Sequence, residues 1–299
     1  MNHQRYSRYA ILTAPARPSR ALWRLALGFV LAAVVMFGLA RGVMAVVGVV
    51  LSPDAAFALA TAIETSDTPF GLLALLFLMG AMGLGTIVAT EVVNRRSAAS
   101  LFGPLGLFWP QFLRVAVALI VLNVVVALLP PWAYYSDTTP GVPLGRWVVL
   151  LPLTMLALLV QTGSEELLFR GYLQSQLAAR FSHPVIWLTV PSLLFALGHH
   201  APETYGSNAW LITGWAFVFG LAAADLTARS GSLGPAMALH LVNNFGAIAV
   251  VSMQGDMSGL ALARLPFGPP DEAAVAAILP VDLAMMLASW LAARLALRL

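Results

Sequence analysis

The chain has no cysteine, no lysine and little charge of either sign. Without cysteine there is no disulfide, no thiolate metal ligand and no thiol nucleophile. All 16 basic residues are arginine. Charged residues make up only 10% of the chain, against roughly 25% in a soluble domain. What fills the space is apolar: 60% of the 299 residues, with a mean hydropathy of +0.86. That composition excludes an ordinary soluble domain and predicts an all-α, polytopic helical membrane protein. A net charge of +3 carried in loops and tails does not suggest nucleic-acid binding. It is what the positive-inside rule produces. No short apolar core followed by small residues opens the chain, so a cleavable signal peptide is not expected. Arginine as the sole basic residue, together with abundant alanine, points to a GC-rich bacterial genome. The expected location is therefore the bacterial inner (cytoplasmic) membrane.

A helix needs about 20 apolar residues to cross. On that measure the sequence predicts eight spans, near 22–40, 70–90, 112–129, 147–180, 184–199, 210–228, 234–251 and 281–297. Residues 1–20 carry four arginines and two prolines and read as a mobile cytoplasmic tail. The acidic segment around Asp54, Glu64 and Asp67 reads as an outer loop, and 101–111 as an interfacial loop. Tyr134 and Tyr135 are expected as interfacial aromatics in another outer loop. With both termini cytoplasmic, eleven arginines fall inside and only Arg146 and Arg264 outside. No internal repeat and no linker separates domains, so 21–299 is expected to be one transmembrane domain. In the second span, Ala81/Gly85 and Gly80/Gly83 are spaced for close helix packing.

Three clusters bring polar side chains to membrane depth. The first is Gln-Thr-Gly-Ser-Glu-Glu-Leu-Leu-Phe-Arg at 161–170. Glu166 and Arg170 are four apart on one helical face and can pair, which reads as a structural ion pair. Glu165 lies about 100° round the axis with no obvious cation. A spare carboxylate among apolar residues points to function. The second cluster is His199 and His200, with Phe195 one turn earlier. The third is His240 and Asn244, four apart and on one face. Alone, His240 and Asn244 would be read as an interhelical hydrogen-bonding pair, and His200 and Asn243 as bystanders. Together with Glu165 they can serve hydrolysis: imidazole and oxygen donors hold a Lewis acid, and a nearby glutamate takes a proton from water. His/His/Asn is a weaker set for zinc than two histidines and a glutamate.

These residues resemble the CAAX-protease and bacteriocin-processing (ABI) membrane proteins, which include the type II CAAX prenyl endopeptidases. That family carries Glu-Glu-x-x-x-Arg, then Phe-x-x-x-His, then His-x-x-x-Asn/Asp on successive helices. Here they read Glu165-Glu166-Leu-Leu-Phe-Arg170, Phe195-Ala-Leu-Gly-His199 and His240-Leu-Val-Asn-Asn244. The resemblance spans about residues 147–251, the expected catalytic core. It implies an intramembrane endopeptidase acting on a peptide or lipid-anchored protein substrate within membrane lipid. It implies catalytic roles for Glu165, Glu166, His199, His240 and Asn244, with Glu165 activating water and His199 assisting or ligating. His240 and Asn244 would complete either a metal site, with His199, for a divalent ion such as zinc, or an oxyanion-stabilising site. A prenylated substrate would be absent from a bacterial host, which leaves the substrate open. The competing readings are a non-catalytic scaffold or bacteriocin-immunity-type protein, and a proton-coupled transporter. Against the transporter, no inverted repeat or pair of broken spans is present.

Overall fold

The computed structural model describes residues 5–130 and 137–299, so Tyr134 and Tyr135 lie outside the described residues. Nine helices organise what is described. They are α1 (Leu22–Val50), α2 (Pro53–Thr65), α3 (Pro69–Val92), α4 (Leu105–Leu128), α5 (Leu144–Arg180), α6 (Pro184–Leu197), α7 (Pro202–Ser230), α8 (Gly234–Asn244) and α9 (Glu272–Leu297). Six of them, α1, α3, α4, α5, α7 and α9, are long and apolar enough to cross a membrane. The predicted all-α membrane architecture stands, but not a set of eight full-length spans. Helix α6 has 14 residues, about 21 Å at 1.5 Å per residue, less than the roughly 30 Å hydrocarbon core. Helix α8 has 11 residues and runs on into wide π turns over Phe245–Val250. Large apolar side chains on α1, such as Val30, Val34, Phe37 and Val46, face outward. Such a surface suits lipid, where a helix satisfies its own backbone.

The apolar stock is partitioned by depth in the bundle. Every residue from 222 to 241 is buried, as is every residue from 161 to 168. Helices α5, α7 and α8 therefore form the centre, and α1, α3, α4, α6 and α9 pack around them. The expected small-residue packing on α3 is observed. A Cβ at Gly85 would overlap the Ala32 carbonyl of α1, and one at Gly83 would lie 2.6 Å from Ser164 Oγ of α5. Three two-residue strands, Thr139–Pro140, Val251–Ser252 and Ala263–Arg264, form a small sheet. The last of them pairs antiparallel with the first and parallel with the second.

Three expected loops are ordered otherwise. Residues 53–65 form α2, because Pro53 sits at the first helical position and Ser52 caps Ala55 N, an arrangement that starts helices. The supposed interfacial loop at 101–111 is mostly the first turns of α4, which begins straight after Pro104. The largest difference is at the N-terminus. The described part of the expected mobile tail, from residue 5, is a run of short helical turns docked on the bundle, with Tyr9, Leu12, Thr13, Ala16 and Ser19 buried. Tyr6 and Tyr9 pack their rings on Trp187 at 5.2 and 5.0 Å. Tyr6 donates a hydrogen bond to Asp225 at 2.8 Å. Burial, and then the Asp225 carboxylate, push the Tyr6 phenol up to about 12, so it stays the donor. Asp225 also binds Arg229 Nε through both oxygens, at 2.8 and 2.9 Å. Buried Arg96 closes the same end, donating to Ser175 Oγ at 2.8 Å and to the Leu12 carbonyl at 3.2 Å.

Candidate active site

Helix α5 runs without a break from its apolar first half into the acidic pair, with Pro152 and Gly163 both accommodated inside it. After Glu166 it widens into π turns over Leu167–Gln174, a form often found at functional sites. The α-helical phase up to Glu166 sets two (i, i+4) pairs on neighbouring faces. Gln161 Nε2 donates to Glu165 Oε1 at 2.9 Å. Arg170 Nη1 donates to Glu166 Oε1 at 2.8 Å, with both side chains fully buried. A second guanidinium nitrogen of Arg170 donates to the Gly220 carbonyl of α7 at 3.3 Å.

Helix α8 brings His240 and Asn244 against that double face. His240 Nδ1 lies 2.8 Å from Glu166 Oε1. An ionised carboxylate only accepts, so Nδ1 carries hydrogen, and His240 Nε2 is left facing Glu165 Oε2 at 3.5 Å. Asn244 Nδ2 donates to Gln161 Oε1 at 3.0 Å. Gln161 is thus a bridge, with its carbonyl held by Asn244 and its amide holding one oxygen of Glu165. The other oxygen, Oε2, is buried without a hydrogen-bond partner, as are Glu166 Oε2 and Arg170 Nε. Phe195 and Phe219 set ring edges against His240, at 5.9 and 4.9 Å between centroids. The Arg170 guanidinium lies 4.6 Å over the Phe195 ring. The result is a polar cluster in an apolar wall, with two carboxylates, one guanidinium and one imidazole in mutual contact.

The structure therefore brings together Glu165, Glu166, Arg170, His240 and Asn244, and leaves His199 apart from them. Helix α6 ends at Leu197, so His199 falls past its end and is exposed. His199 Nδ1 contacts the Phe195 carbonyl at 2.8 Å, and its ring lies 4.4 Å from the Phe195 ring. Since a carbonyl only accepts, Nδ1 donates and Nε2 is left as a free acceptor at the rim. Phe195 touches both His199 and His240, and no hydrogen bond joins the two histidines. The three residues of the expected metal set, His199, His240 and Asn244, share no hydrogen bond with one another. Among the described residues no three His, Cys, Asp or Glu side chains are grouped to hold a metal ion. His240 Nδ1 is engaged by Glu166, and Asn244 leans on Gln161. Those contacts leave His240 Nε2 and Asn244 Oδ1, with His199 Nε2 at the rim, as the atoms that would hold a divalent ion, a carboxylate on the other ring nitrogen being the usual support of a metal-bound imidazole. Of the bystanders, His200 bonds Thr213 Oγ1 at 3.0 Å and stacks on Trp210, and Asn243 reaches Asn244 Oδ1 at 3.4 Å.

Sequence reasoning missed two residues. Gln161 carried a signal, a polar side chain four residues before Glu165 in an apolar run. Phe219 carried none, being one aromatic among many on α7.

Residues 146–246, about a third of the chain, match the family described as type II CAAX prenyl endopeptidase Rce1-like. That segment contains all of the residues placed above, from Gln161 to Asn244. It supports a CAAX-type intramembrane protease. No curated protein and no solved structure matches the chain.

Proposed function

We propose, for a chain that belongs through residues 146–246 to the type II CAAX prenyl endopeptidase Rce1-like family, an intramembrane peptide hydrolysis in which Glu165 is the general base. One observation carries the reading: Glu165 Oε2 is buried, unpartnered and 3.5 Å from His240 Nε2. A fixed acceptor beside a fixed imidazole, shielded from bulk water, is where one water can be held and deprotonated. The other oxygen of Glu165 is pinned by Gln161, so the base cannot swing away.

Charge balance suggests the protonation state. Glu165, Glu166 and Arg170 together carry one net negative charge in a buried site, which is costly. An imidazolium at His240 removes it, with Nδ1–H on Glu166 and Nε2–H toward Glu165. Water held at Glu165 Oε2 attacks the scissile carbonyl carbon, and its proton passes to Oε2. The carbonyl π electrons move onto oxygen, and that oxyanion takes a hydrogen bond from His240 Nε2–H. The unused hydrogen of Asn244 Nδ2 is the second candidate donor. Donors held ready for such charge are worth more in a low-dielectric site than in water. Collapse breaks the C–N bond, and Glu165 returns its proton to the leaving nitrogen. The products are a carboxylic acid and an amine. His199, at the rim with a free Nε2, meets the incoming peptide or water. Glu166 and Arg170 position His240 and do not touch the reacting atoms.

A divalent ion, held by His199, His240 and Asn244, would polarise the scissile carbonyl; every step above is carried by this chain's own side chains. The substrate class is a peptide segment of a membrane-associated or lipid-anchored protein, since the base lies within a membrane-spanning helix. The bacterial inner membrane, with both termini on its cytoplasmic side, is the proposed setting. The test is purified protein in lipid discs, given a membrane-embedded peptide library with and without chelator. Cleavage that disappears in Glu165→Gln is expected, and the chelator arm reports whether a divalent ion supports it. Absence of cleavage by the intact, folded protein across the library would favour the non-catalytic scaffold, with the polar cluster serving packing alone.

A further inference from the structure

At the arginine-rich end of the bundle, the start of α1 and the end of α5 frame a groove of about 500 Å³ lined by Arg17, Arg20, Leu22, Trp23 and Arg180. A second hollow of about 360 Å³ shares the same three arginines and runs on to Phe181 and Ser182. Three arginines thus line one hollow from two segments about 160 residues apart in sequence. No Asp or Glu lines either hollow. Among the described residues, none of the three forms an ion pair. Buried Arg96, Arg170 and Arg229, by contrast, are each held by protein acceptors.

The frame is ordered. Between Arg17 and Arg20, Ser19 is buried and takes a hydrogen bond from Gln176 of α5 at 3.2 Å. Beside the arginines, Leu22 and Trp23 are 48% and 61% exposed on the first turn of α1, whose outer face is apolar along its length. The groove is therefore cationic at its floor and apolar along one edge. That edge continues into a lipid-facing helix.

We propose that this groove binds the phosphate headgroup of an anionic phospholipid, with its acyl chains lying along Leu22, Trp23 and α1. Guanidinium forks suit phosphate oxygens better than point cations do, and tryptophan suits the headgroup level. A free phosphate would meet the same arginines but would make no use of the apolar edge. The inference needs only the membrane helices and stands apart from the protease reading.

The experiment measures binding of phosphatidylglycerol, phosphatidylcholine and inorganic phosphate to the full chain in detergent, by native mass spectrometry and tryptophan fluorescence. The triple variant Arg17→Gln/Arg20→Gln/Arg180→Gln should lose phosphatidylglycerol affinity by on the order of a hundredfold, roughly fivefold per arginine. A charge-matched control, Arg5→Gln/Arg95→Gln/Arg298→Gln, should stay within about twofold of wild type, and the triple lysine variant of the groove should fall between wild type and the groove glutamine triple, keeping the charge but losing the forks. All three arginines are exposed, so the thermal midpoint without lipid should not move. Equal losses in both glutamine triples would reduce the effect to general charge and overturn the site. Inorganic phosphate displacing the lipid at equal concentration would overturn the lipid assignment, and unchanged binding in the groove variant would overturn both.

Discussion

His240 Nδ1 and Arg170 Nη1 meet on one oxygen, Glu166 Oε1, each at 2.8 Å. That shared acceptor fixes the imidazole on one side and frees its other nitrogen for Glu165. It also gives the two adjacent glutamates different roles. Glu166 is saturated on one oxygen by structural partners, and Glu165 is poised.

Glu165→Gln should therefore keep the fold and abolish turnover. The amide retains the shape and a hydrogen bond to Gln161, but it cannot accept a proton. A loss of about 10²–10⁴ in kcat is expected from removing a general base, with the thermal midpoint unchanged. Wild-type turnover by this variant in lipid discs would rule Glu165 out as base.

Glu166→Gln and Arg170→Met should each damage the fold first. Breaking a buried pair on one side costs roughly 3–5 kcal/mol. Here Glu166→Gln also strips His240 of its charged partner. The double variant should recover part of the loss, because the uncompensated charge is gone. Denaturant or thermal unfolding of all four proteins, treated as a cycle, checks this. Additive losses would mean that the pair is not coupled.

Gln161→Leu removes the bridge between Asn244 and Glu165 while keeping the volume. Glu165 then rotates freely, and a misplaced group of this kind lowers kcat by about a hundredfold. KM should change little, since Gln161 does not reach the rim. A rise in KM with intact kcat would instead make Gln161 a substrate contact.

Reporter fusions after residues 60, 137, 205 and 262 should lie on one side of the membrane, and those near 97, 182 and 230 on the other with the termini. The short helix α6 makes the fusions at 182 and 205 decisive. If both report the same side, α6 is a re-entrant element and the span count falls.

What was legible in the sequence was helix phase. The Glu166–Arg170 pairing, and the shared face by which His240 and Asn244 both reach α5, need only the 3.6-residue turn to be expected. Gly83 and Gly85 were legible for the same reason. Positions set by where a helix stops were less so. His199 lies past the end of α6, an end that Gly198 after the last helical residue and Pro202 beyond it do mark, although the apolar run reads through to His199. Acidic residues around 54–67, and the glycines and prolines of 101–111, suggested loops where Pro53 and Pro104 in fact open α2 and α4. The docked N-terminus was hidden by its arginines and prolines. Yet Tyr9, Leu12, Thr13 and Ala16 recur at helical spacing, which is the signature of a packed face.

The contact between Tyr6 and Asp225 joins positions 219 residues apart. At about 5–20 residues per second of synthesis, the acceptor emerges roughly 10–45 s after the donor. A segment that leaves the ribosome before the whole bundle is thus among the last to find its seat. Until Leu177 and Trp187 have emerged, Tyr9 and Leu12 have nothing to cover, and Asp225 and Ala228 follow later still. Residues 5–20 can then act as a seal set only on a nearly finished bundle. A chain halted before α7 would present that seal unengaged, open to the proteases that clear incomplete membrane proteins.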